Sequence, residues 1–155
     1  MSKVIEVDFL PKETDAAFSW LDSISDSARR ILIVDNDRNS THVVKVLLEK
    51  TGRYLVLEEN DATRAHLSAR NFRPDLILLD IVMAETDGGE IAARIKVDPE
   101  LQGTPIIFLT ALVTRTEANT GLHIDGHPFL AKPINVQELI NAIEGRLSAR
   151  APAFG

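Results

Sequence analysis

Polar side chains that can do chemistry stand directly after four short apolar runs of this sequence. Three of them follow the run at 31–34, and one follows each of the runs at 76–79, 106–109 and 129–131. In chain order they are Asp35, Asn36, Asp37, Asp80, Thr110 and Lys132. Carboxylates suit attack on phosphorus or the binding of a hard cation, whereas a hydroxyl and an ammonium suit the binding of an anion.

Apolar runs of strand length recur from residue 31 onward, and amphipathic stretches of helix length separate them. The five runs lie at 31–34, 54–57, 76–79, 106–109 and 129–131. Strands that are apolar on both faces and joined by helices are typical of a parallel sheet with helices on each side. In such sheets ligands bind at the carboxyl ends of the strands. The polar residues that follow the runs are therefore predicted to share one rim.

Four stretches have helical periodicity. The first, at 39–50, is predicted to turn four apolar side chains toward the core: Val43, Val44, Leu47 and Leu48. In the second, at 61–70, Ala65 and the residues from Leu67 to Ala69 are predicted to lie near the apolar side. A third is predicted at about 89–97, and Asn135 is predicted to cap the last one.

Composition narrows the class of protein. The chain has 155 residues, a formal net charge of -6 and no cysteine. The absence of cysteine excludes a disulfide framework, a thiol nucleophile and a cysteine zinc site. The acidic balance disfavours direct binding to nucleic acid. No apolar run is long enough to span a bilayer and no secretory signal is evident, so a cytoplasmic protein without a membrane segment is expected.

Five short motifs resemble, in their order, the signatures of response-regulator receiver domains. They are Val34-Asp35-Asn36-Asp37, Pro74 to Met83, Asp87-Gly88, Leu109-Thr110-Ala111 and Lys132-Pro133. The resemblance covers about residues 30–148. It implies an α/β, flavodoxin-like, doubly wound sheet of five parallel strands in the order 2-1-3-4-5, with helices on both faces. The chain then divides into an N-terminal extension (1–29), a receiver domain (30–149) and a C-terminal tail (150–155).

The resemblance also implies roles for single residues. Asp80 would be the phosphoacceptor, and Thr110 and Lys132 would contact oxygens of the phosphoryl group. Mg²⁺ would be held by Asp35, Asn36, Asp80 and the backbone carbonyl of Val82. Thr110 and Phe129 would form a switch that turns phosphorylation into a change of surface, and the Lys132-Pro133 peptide bond would be cis.

Two positions depart from the family's usual pattern. Asn36 stands where a second acidic residue is usual, and because an amide carries no charge, weaker Mg²⁺ binding and slower phosphorylation are expected. Asp37 could compensate, since residues two apart in an extended chain point the same way. Ala84 stands where a proline is common, which is expected only to loosen a loop.

The expected function is reversible phosphoryl acceptance at Asp80 in two-component signalling. The partners would be a sensor histidine kinase or a histidine phosphotransfer protein and a downstream effector protein, with a homodimer left open. No output domain is expected after the last helix, and no enzymatic activity on an external substrate. Two alternatives stay open: a pseudo-receiver that binds a partner without phosphate, and a small metal-dependent enzyme such as a phosphatase.

The N-terminal extension is the least characteristic part of the sequence. Ile5, Val7 and Phe9 alternate with acidic residues, as in a short strand. A second group has helical spacing and consists of Ala17, Trp20, Leu21 and Ile24. This second group is predicted either to cover the receiver's own surface or to form a self-association element.

The histidines and the Asp87-Gly88 pair are interpreted as structural features and not as functional sites. The four histidines lack the ligand spacing of a zinc site and are assigned to the surface: His42, His66, His123 and His127. Asp87-Gly88 is interpreted most simply as a turn.

Overall fold

The computed structural model describes residues 28–81, 83, 87–111, 123–124 and 127–150. The predicted elements of the N-terminal extension lie outside the described residues. So do Val82, with its proposed carbonyl ligand, and Ala84.

Six strands of the described residues form one sheet. They are β1 (Arg29–Val34), β2 (Tyr54–Glu59), β3 (Leu76–Asp80), β4 (Ile106–Thr110), β5 (His123–Ile124) and β6 (His127–Ala131). The sheet order is β2-β1-β3-β4-β6-β5. Every neighbouring pair is parallel except β6 and the two-residue edge strand β5, which are antiparallel. The five parallel strands confirm the predicted order 2-1-3-4-5, and the antiparallel edge strand is an addition to it.

Four α-helices connect or follow these strands in the described part of the chain. They are α1 (Arg38–Glu49), α2 (Ala65–Phe72), α3 (Gly88–Val97) and α4 (Val136–Arg150), and a 3₁₀ turn at Ala62–Arg64 precedes α2. Asn135 begins α4 as predicted, because its Oδ1 accepts a hydrogen bond of 3.0 Å from the backbone N–H of Glu138. None of the helices described here has the length and apolarity needed to cross a membrane.

The sheet separates two apolar layers, which explains why consecutive positions in the middle of its strands are apolar. Alternate side chains of β1 point to opposite sides, so that Leu32 and Val34 pack in one layer while Ile31 and Ile33 pack in the other. The first layer continues into α2 and α3, and the second into α1 and α4. Helices that cover both faces leave the carboxyl-end rim as the place where polar groups collect.

The prediction for the inner face of α1 was partly wrong. Val44 and Leu48 are buried, but Val43 and Leu47 are 55% and 39% exposed. The third buried position is Thr41, whose hydroxyl donates a 2.7 Å hydrogen bond to Glu58. The buried face of α1 is therefore narrower than its apolar face.

The prediction for the apolar side of α2 was confirmed for Ala65 and Ala69 and was wrong for Leu67. Its side chain is 51% exposed, whereas Ala65, Ser68 and Ala69 are buried. These small side chains let α2 lie close to the sheet, and that packing leaves Leu67 on the outer face.

Candidate functional site

Two acidic residues occupy neighbouring strand ends. Asp35 directly follows β1 and Asp80 ends β3, and these two strands are adjacent and parallel. Asp35 is 2% exposed and Asp80 is 6% exposed. Both carboxylates are therefore largely shielded from solvent, and the rim is the direction from which a ligand would approach.

Lys132 joins the two carboxylates. Its Nζ lies 2.7 Å from Oδ2 of Asp35 and 3.4 Å from Oδ2 of Asp80. The backbone N–H of Lys132 donates a 2.9 Å hydrogen bond to the carbonyl of Thr110, which fixes the start of the loop after β6. The Lys132-Pro133 peptide bond is cis, as predicted. The structure therefore brings together the two acids and the lysine that the sequence placed on one rim.

The pKa of Lys132 reflects this arrangement. Burial favours the neutral amine and lowers the pKa, but the hydrogen bond and charge of Asp35, together with the charge of Asp80, outweigh burial and raise it. The ammonium is therefore retained at neutral pH. It offsets negative charge that would otherwise be concentrated between two buried carboxylates.

Asn60 holds the loop that carries Asp35. Its side-chain amide donates to the backbone carbonyl of Asp35 at 2.8 Å and to the hydroxyl of Thr41 at 2.9 Å. A second hydrogen bond lies within the loop itself: Oδ1 of Asp35 accepts a 3.0 Å hydrogen bond from the backbone N–H of Asp37. The sequence analysis missed Asn60. It follows β2 directly, so the same strand-end signal that found the other polar residues could have found it.

The two residues after Asp35 have different surroundings. Asn36 is exposed on the rim. Asp37 caps α1, because its carboxylate accepts hydrogen bonds from the backbone N–H groups of Asn39 and Ser40 and from the Ser40 hydroxyl. The Ser40 hydroxyl contributes most to lowering the pKa of Asp37. Since this carboxylate is engaged in capping, it is poorly placed to compensate for Asn36.

Gly88 sets the distance between α3 and the end of β3. Its backbone N–H donates a 2.8 Å hydrogen bond to the carbonyl of Ile81. A Cβ at this position would lie 2.3 Å from the carbonyl oxygen of Asp80, which no real side chain tolerates. The preceding Asp87 caps α3 through the N–H groups of Gly89 and Glu90. Asp87-Gly88 is therefore the start of a helix packed against the site, and the interpretation as a simple turn was wrong.

Thr110 and Phe129 lie on β4 and β6, the next two strands of the sheet after β3. Thr110 ends β4 and is 1% exposed, and Phe129 on β6 is 6% exposed. Phe129 is paired in register with Phe108 of β4 and packs in the layer that contains α2 and α3. The structure thus shows both predicted switch residues inside the fold, with the aromatic ring buried.

The carboxylates at the rim suit a hard cation that takes its remaining ligands from a bound molecule. Within the described residues, no three acidic or histidine side chains are grouped closely enough to hold a metal ion by themselves. Asp35 and Asp80 supply two converging carboxylates. Mg²⁺ is commonly bound through one or two carboxylates together with phosphate oxygens and water. These residues therefore fit Mg²⁺.

The surface assignment of the histidines needs a correction at His66. Its Nε2 lies 2.8 Å from Oδ2 of Asp98, which also accepts a 3.1 Å hydrogen bond from Arg70. Asp98 is buried at the end of α3, so this group ties α2 to the α3 terminus. His127 is half-buried, with its ring edge-on to Phe108 at 5.6 Å between centroids. His42 is exposed as predicted, and the side chain of His123 lies outside the described residues.

The fold and the rim together define a class of protein. In a doubly wound parallel sheet ligands bind at the carboxyl-end rim, and in this chain that rim carries two buried acids and a lysine. Residues 31–144 match the model of the response regulator receiver domain family. The chain belongs to this family, and it is a phosphoacceptor module of two-component signalling.

Curated relatives agree with this assignment. The chain is 34% identical to the phosphate regulon transcriptional regulatory protein PhoB of Pseudomonas aeruginosa over 124 residues, which are 80% of this chain and 54% of that protein. It is 34% identical to the nisin biosynthesis regulatory protein NisR of Lactococcus lactis, over 76% of this chain and 50% of that protein. The chain thus spans about half the length of the curated relatives it matches.

Solved structures agree as well. A response regulator receiver domain protein from Methanospirillum hungatei has a TM-score of 0.67 at 28% identity, covering 80% of this chain and 97% of the other. The receiver domain of a signal transduction histidine kinase from Syntrophus aciditrophicus has a TM-score of 0.66 at 31% identity, covering 79% of this chain and 92% of the other.

Proposed function

We propose that Asp80 of this chain accepts a phosphoryl group from a phosphohistidine of a sensor histidine kinase or a histidine phosphotransfer protein. The observation that carries the proposal is the convergence of Asp35, Asp80 and Lys132 at one rim of a receiver fold. The domain division proposed with it assigns residues 30–149 to the receiver, 1–29 to an N-terminal extension and 150–155 to a tail.

The transfer is an in-line displacement. A carboxylate oxygen of Asp80 forms a bond to phosphorus while the bond from phosphorus to the imidazole nitrogen breaks, and the histidine leaves with the electron pair. Lys132 then pairs with an oxygen of the transferred group, and its ammonium offsets the added charge. The cycle closes when water attacks phosphorus and the bond from phosphorus to the Asp80 oxygen breaks, which releases inorganic phosphate and restores the carboxylate. The chain catalyses both steps on itself and acts on no external substrate.

Mg²⁺ is the cofactor that we propose for both steps. Asp35 and Asp80 would hold it with the amide oxygen of Asn36 and, in the family's pattern, the carbonyl of Val82. When bound, the ion lowers the electrostatic cost of bringing a phosphoryl donor to two carboxylates. Because Asn36 adds no charge, we propose a weaker metal site than one with three acids.

The signal would leave the site through Thr110 and Phe129. Thr110 would donate a hydrogen bond to the phosphoryl group, and the space it vacates would admit a different position of the Phe129 ring. The buried position of that ring supports a coupling between the site and β6, because a change in packing at β4 must be transmitted to a neighbour in contact with it. The recipient of the signal would be an effector protein.

The name of one relative and the charge of this chain bear on what its direct partners are. The mycobacterial relative MtrA is described as a DNA-binding response regulator, and the chain is 29% identical to half of it. The receiver described here carries the acidic rim, and the whole chain has a net charge of -6. We therefore propose that its direct partners are proteins, without direct contact to nucleic acid or membrane, and that a homodimer is compatible with this role.

Transfer of a labelled phosphoryl group tests the proposal. Autophosphorylated histidine kinases carrying a radioactive phosphoryl group are mixed with the full chain and with Asp80→Asn in the presence of Mg²⁺. We expect label on the chain, none on the variant, and release by hydroxylamine, which cleaves acyl phosphates. If neither these donors nor acetyl phosphate label the chain, it is a pseudo-receiver that binds its partner without phosphate.

A further inference from the structure

A buried threonine on α1 is hydrogen-bonded to the end of β2. Thr41 is completely shielded from solvent. Its hydroxyl accepts a 2.9 Å hydrogen bond from the side-chain amide of Asn60 and donates one of 2.7 Å to Oε1 of Glu58. A buried hydroxyl costs free energy unless it is hydrogen-bonded. Both of these partners belong to the strand end beside Asp35, so α1 and β2 are joined at the rim by polar contacts as well as by apolar packing.

The side-chain amide of Asn60 uses both of its N–H groups at this place. One donates to the Thr41 hydroxyl and the other donates to the backbone carbonyl of Asp35 at 2.8 Å. Its Oδ1 accepts a hydrogen bond of 3.4 Å from Arg38, in the first turn of α1. A flipped amide would turn its oxygen toward the carbonyl oxygen of Asp35, so these partners fix the orientation of the side chain.

Both backbone polar groups of Asp35 are fixed by residues at the end of β2. Its N–H donates a 3.2 Å hydrogen bond to the carbonyl of Glu59, and its carbonyl accepts from Asn60. Within the side chain, Oδ1 accepts from the N–H of Asp37, and Oδ2 lies 2.7 Å from Nζ of Lys132. A cation that displaces the lysine from Oδ2 would therefore meet a carboxylate whose backbone is already held in place.

We propose that Asn60 and Thr41 are positioning residues that set the affinity of the rim for Mg²⁺. Neither side chain is among the proposed metal ligands, and both act through the backbone of Asp35. A carboxylate on an unconstrained loop has to be ordered when the metal binds, and this cost lowers the affinity; a carboxylate that is ordered beforehand avoids it. The inference rests on the Mg²⁺ site of the proposed function and adds to that site two residues that do not touch the metal.

Four single variants separate positioning from a general loss of stability. Asn60→Ala removes both amide donors, Thr41→Val removes the hydroxyl at nearly constant volume, and Thr41→Ser keeps the hydroxyl. Thr104→Val is the matched control, because Thr104 is also buried but precedes the start of β4, at the opposite end of the sheet. Urea unfolding of each variant measures its global stability and checks that it is folded.

Calorimetric titration of the full chain with Mg²⁺, without a phosphoryl donor, measures the effect on the metal. We expect Asn60→Ala and Thr41→Val each to weaken binding about fivefold, whereas Thr41→Ser and Thr104→Val bind as the unmodified chain does. Because the two side chains act as one unit, the combined Asn60→Ala, Thr41→Val variant is expected to bind about as weakly as Asn60→Ala alone. At saturating Mg²⁺, the rate of labelling by acetyl phosphate should return to that of the unmodified chain.

Amide hydrogen exchange in the metal-free chain reports on the same contacts independently of Mg²⁺. The N–H of Asp35 donates to Glu59 and the N–H of Asp37 donates to Asp35. Both are expected to exchange about fivefold faster or more in Asn60→Ala and Thr41→Val, because the loop opens more often without its anchor. Thr104→Val is expected to leave both exchange rates unchanged.

Three results would overturn the proposal. Unchanged exchange at Asp35 and Asp37 in both variants would show that the loop is held by other contacts. Faster exchange with an unchanged Mg²⁺ affinity would show that the order of the loop does not matter to the metal. An equal loss of affinity in Thr104→Val would attribute the effect to general destabilisation. If the unmodified chain itself fails to bind Mg²⁺, the proposed cofactor is wrong and the claim about its affinity falls with it, while hydrogen exchange still decides whether Asn60 and Thr41 position Asp35.

Discussion

The ammonium of Lys132 donates a 2.7 Å hydrogen bond to the carboxylate of Asp35, although the two residues are 97 positions apart in the chain. The same ammonium is 3.4 Å from Asp80, so the lysine acts as the resident cation of the rim. An incoming divalent cation or phosphoryl group has to share these contacts or replace them. Before a ligand binds, the Lys132 ammonium offsets the charge of the two carboxylates, and a cation that enters the site has to compete with it for them.

Replacement of Lys132 by methionine is expected to strengthen Mg²⁺ binding while it slows phosphoryl transfer. Removal of a positive charge within 4 Å of both carboxylates is worth roughly one to a few kcal/mol to a competing cation, or about tenfold in affinity. Calorimetric titration with Mg²⁺ measures the effect, with Lys96→Met, an exposed change on α3, as the matched control. Equal affinities in the variant and the unmodified chain would show that the lysine and the metal do not compete.

Asn36→Asp is expected to raise Mg²⁺ affinity, because it adds a third carboxylate to the rim. At an exposed position the added charge contributes about 1 kcal/mol, which corresponds to roughly fivefold. Asn71→Asp introduces the same charge on α2 near the opposite end of the sheet and serves as the control. If both variants change the affinity equally, the gain comes from net charge, and Asn36 does not face the metal.

Gly88→Ala is expected to destabilise the protein by about 1–3 kcal/mol, because the new methyl group has to push α3 away from the end of β3. The added Cβ would meet the carbonyl oxygen of Asp80 at 2.3 Å. Gly145→Ala in α4 is the matched substitution in open space, and there alanine should add up to about 1 kcal/mol through its helix propensity. Urea unfolding measures both, and a neutral Gly88→Ala would contradict the close approach.

Asp98→Asn is expected to lower stability in a pH-dependent way. Hydrogen bonds from the Glu100 backbone and from His66, and the charge of Arg70, hold the pKa of Asp98 below its ordinary 3.8. A carboxyl whose pKa falls on folding stabilises the protein above its unfolded value and loses that contribution as the pH drops through the folded value. The difference between Asp98→Asn and the unmodified chain should therefore shrink in acid below 3.8. A pH-independent difference in urea unfolding would contradict the ionised Asp98.

The strands and the polar residues at their ends could be predicted from the sequence for a simple reason. Strands covered by helices on both faces are mainly apolar, so Asp35, Asp80, Thr110 and Lys132 stand out as polar residues at the strand ends. Because the strands are parallel, their carboxyl ends lie along the same edge of the sheet. The order of the five parallel strands came from the family resemblance, since apolar runs do not encode which strand lies beside which.

Other features depend on tertiary contacts that no local pattern contains. The apolar face of α1 is wider than its contact with the sheet, so periodicity could not separate buried Val44 from exposed Val43. The link between His66 and Asp98 joins residues 32 positions apart on different elements. The close approach of Gly88 to Asp80 likewise depends on where α3 packs, although the glycine itself was visible in the sequence.

Phosphoryl acceptance at Asp80 is measured by the intact mass of the chain after incubation with acetyl phosphate, with and without Mg²⁺. We expect a gain of one phosphoryl group that requires Mg²⁺, disappears in Asp80→Asn, and persists in Asp75→Asn, which changes an aspartate at the opposite end of β3. A gain that survives in Asp80→Asn would place the phosphoryl group on another residue. No gain in the unmodified chain, with this donor or with phosphorylated kinases, would contradict phosphoryl acceptance at this rim.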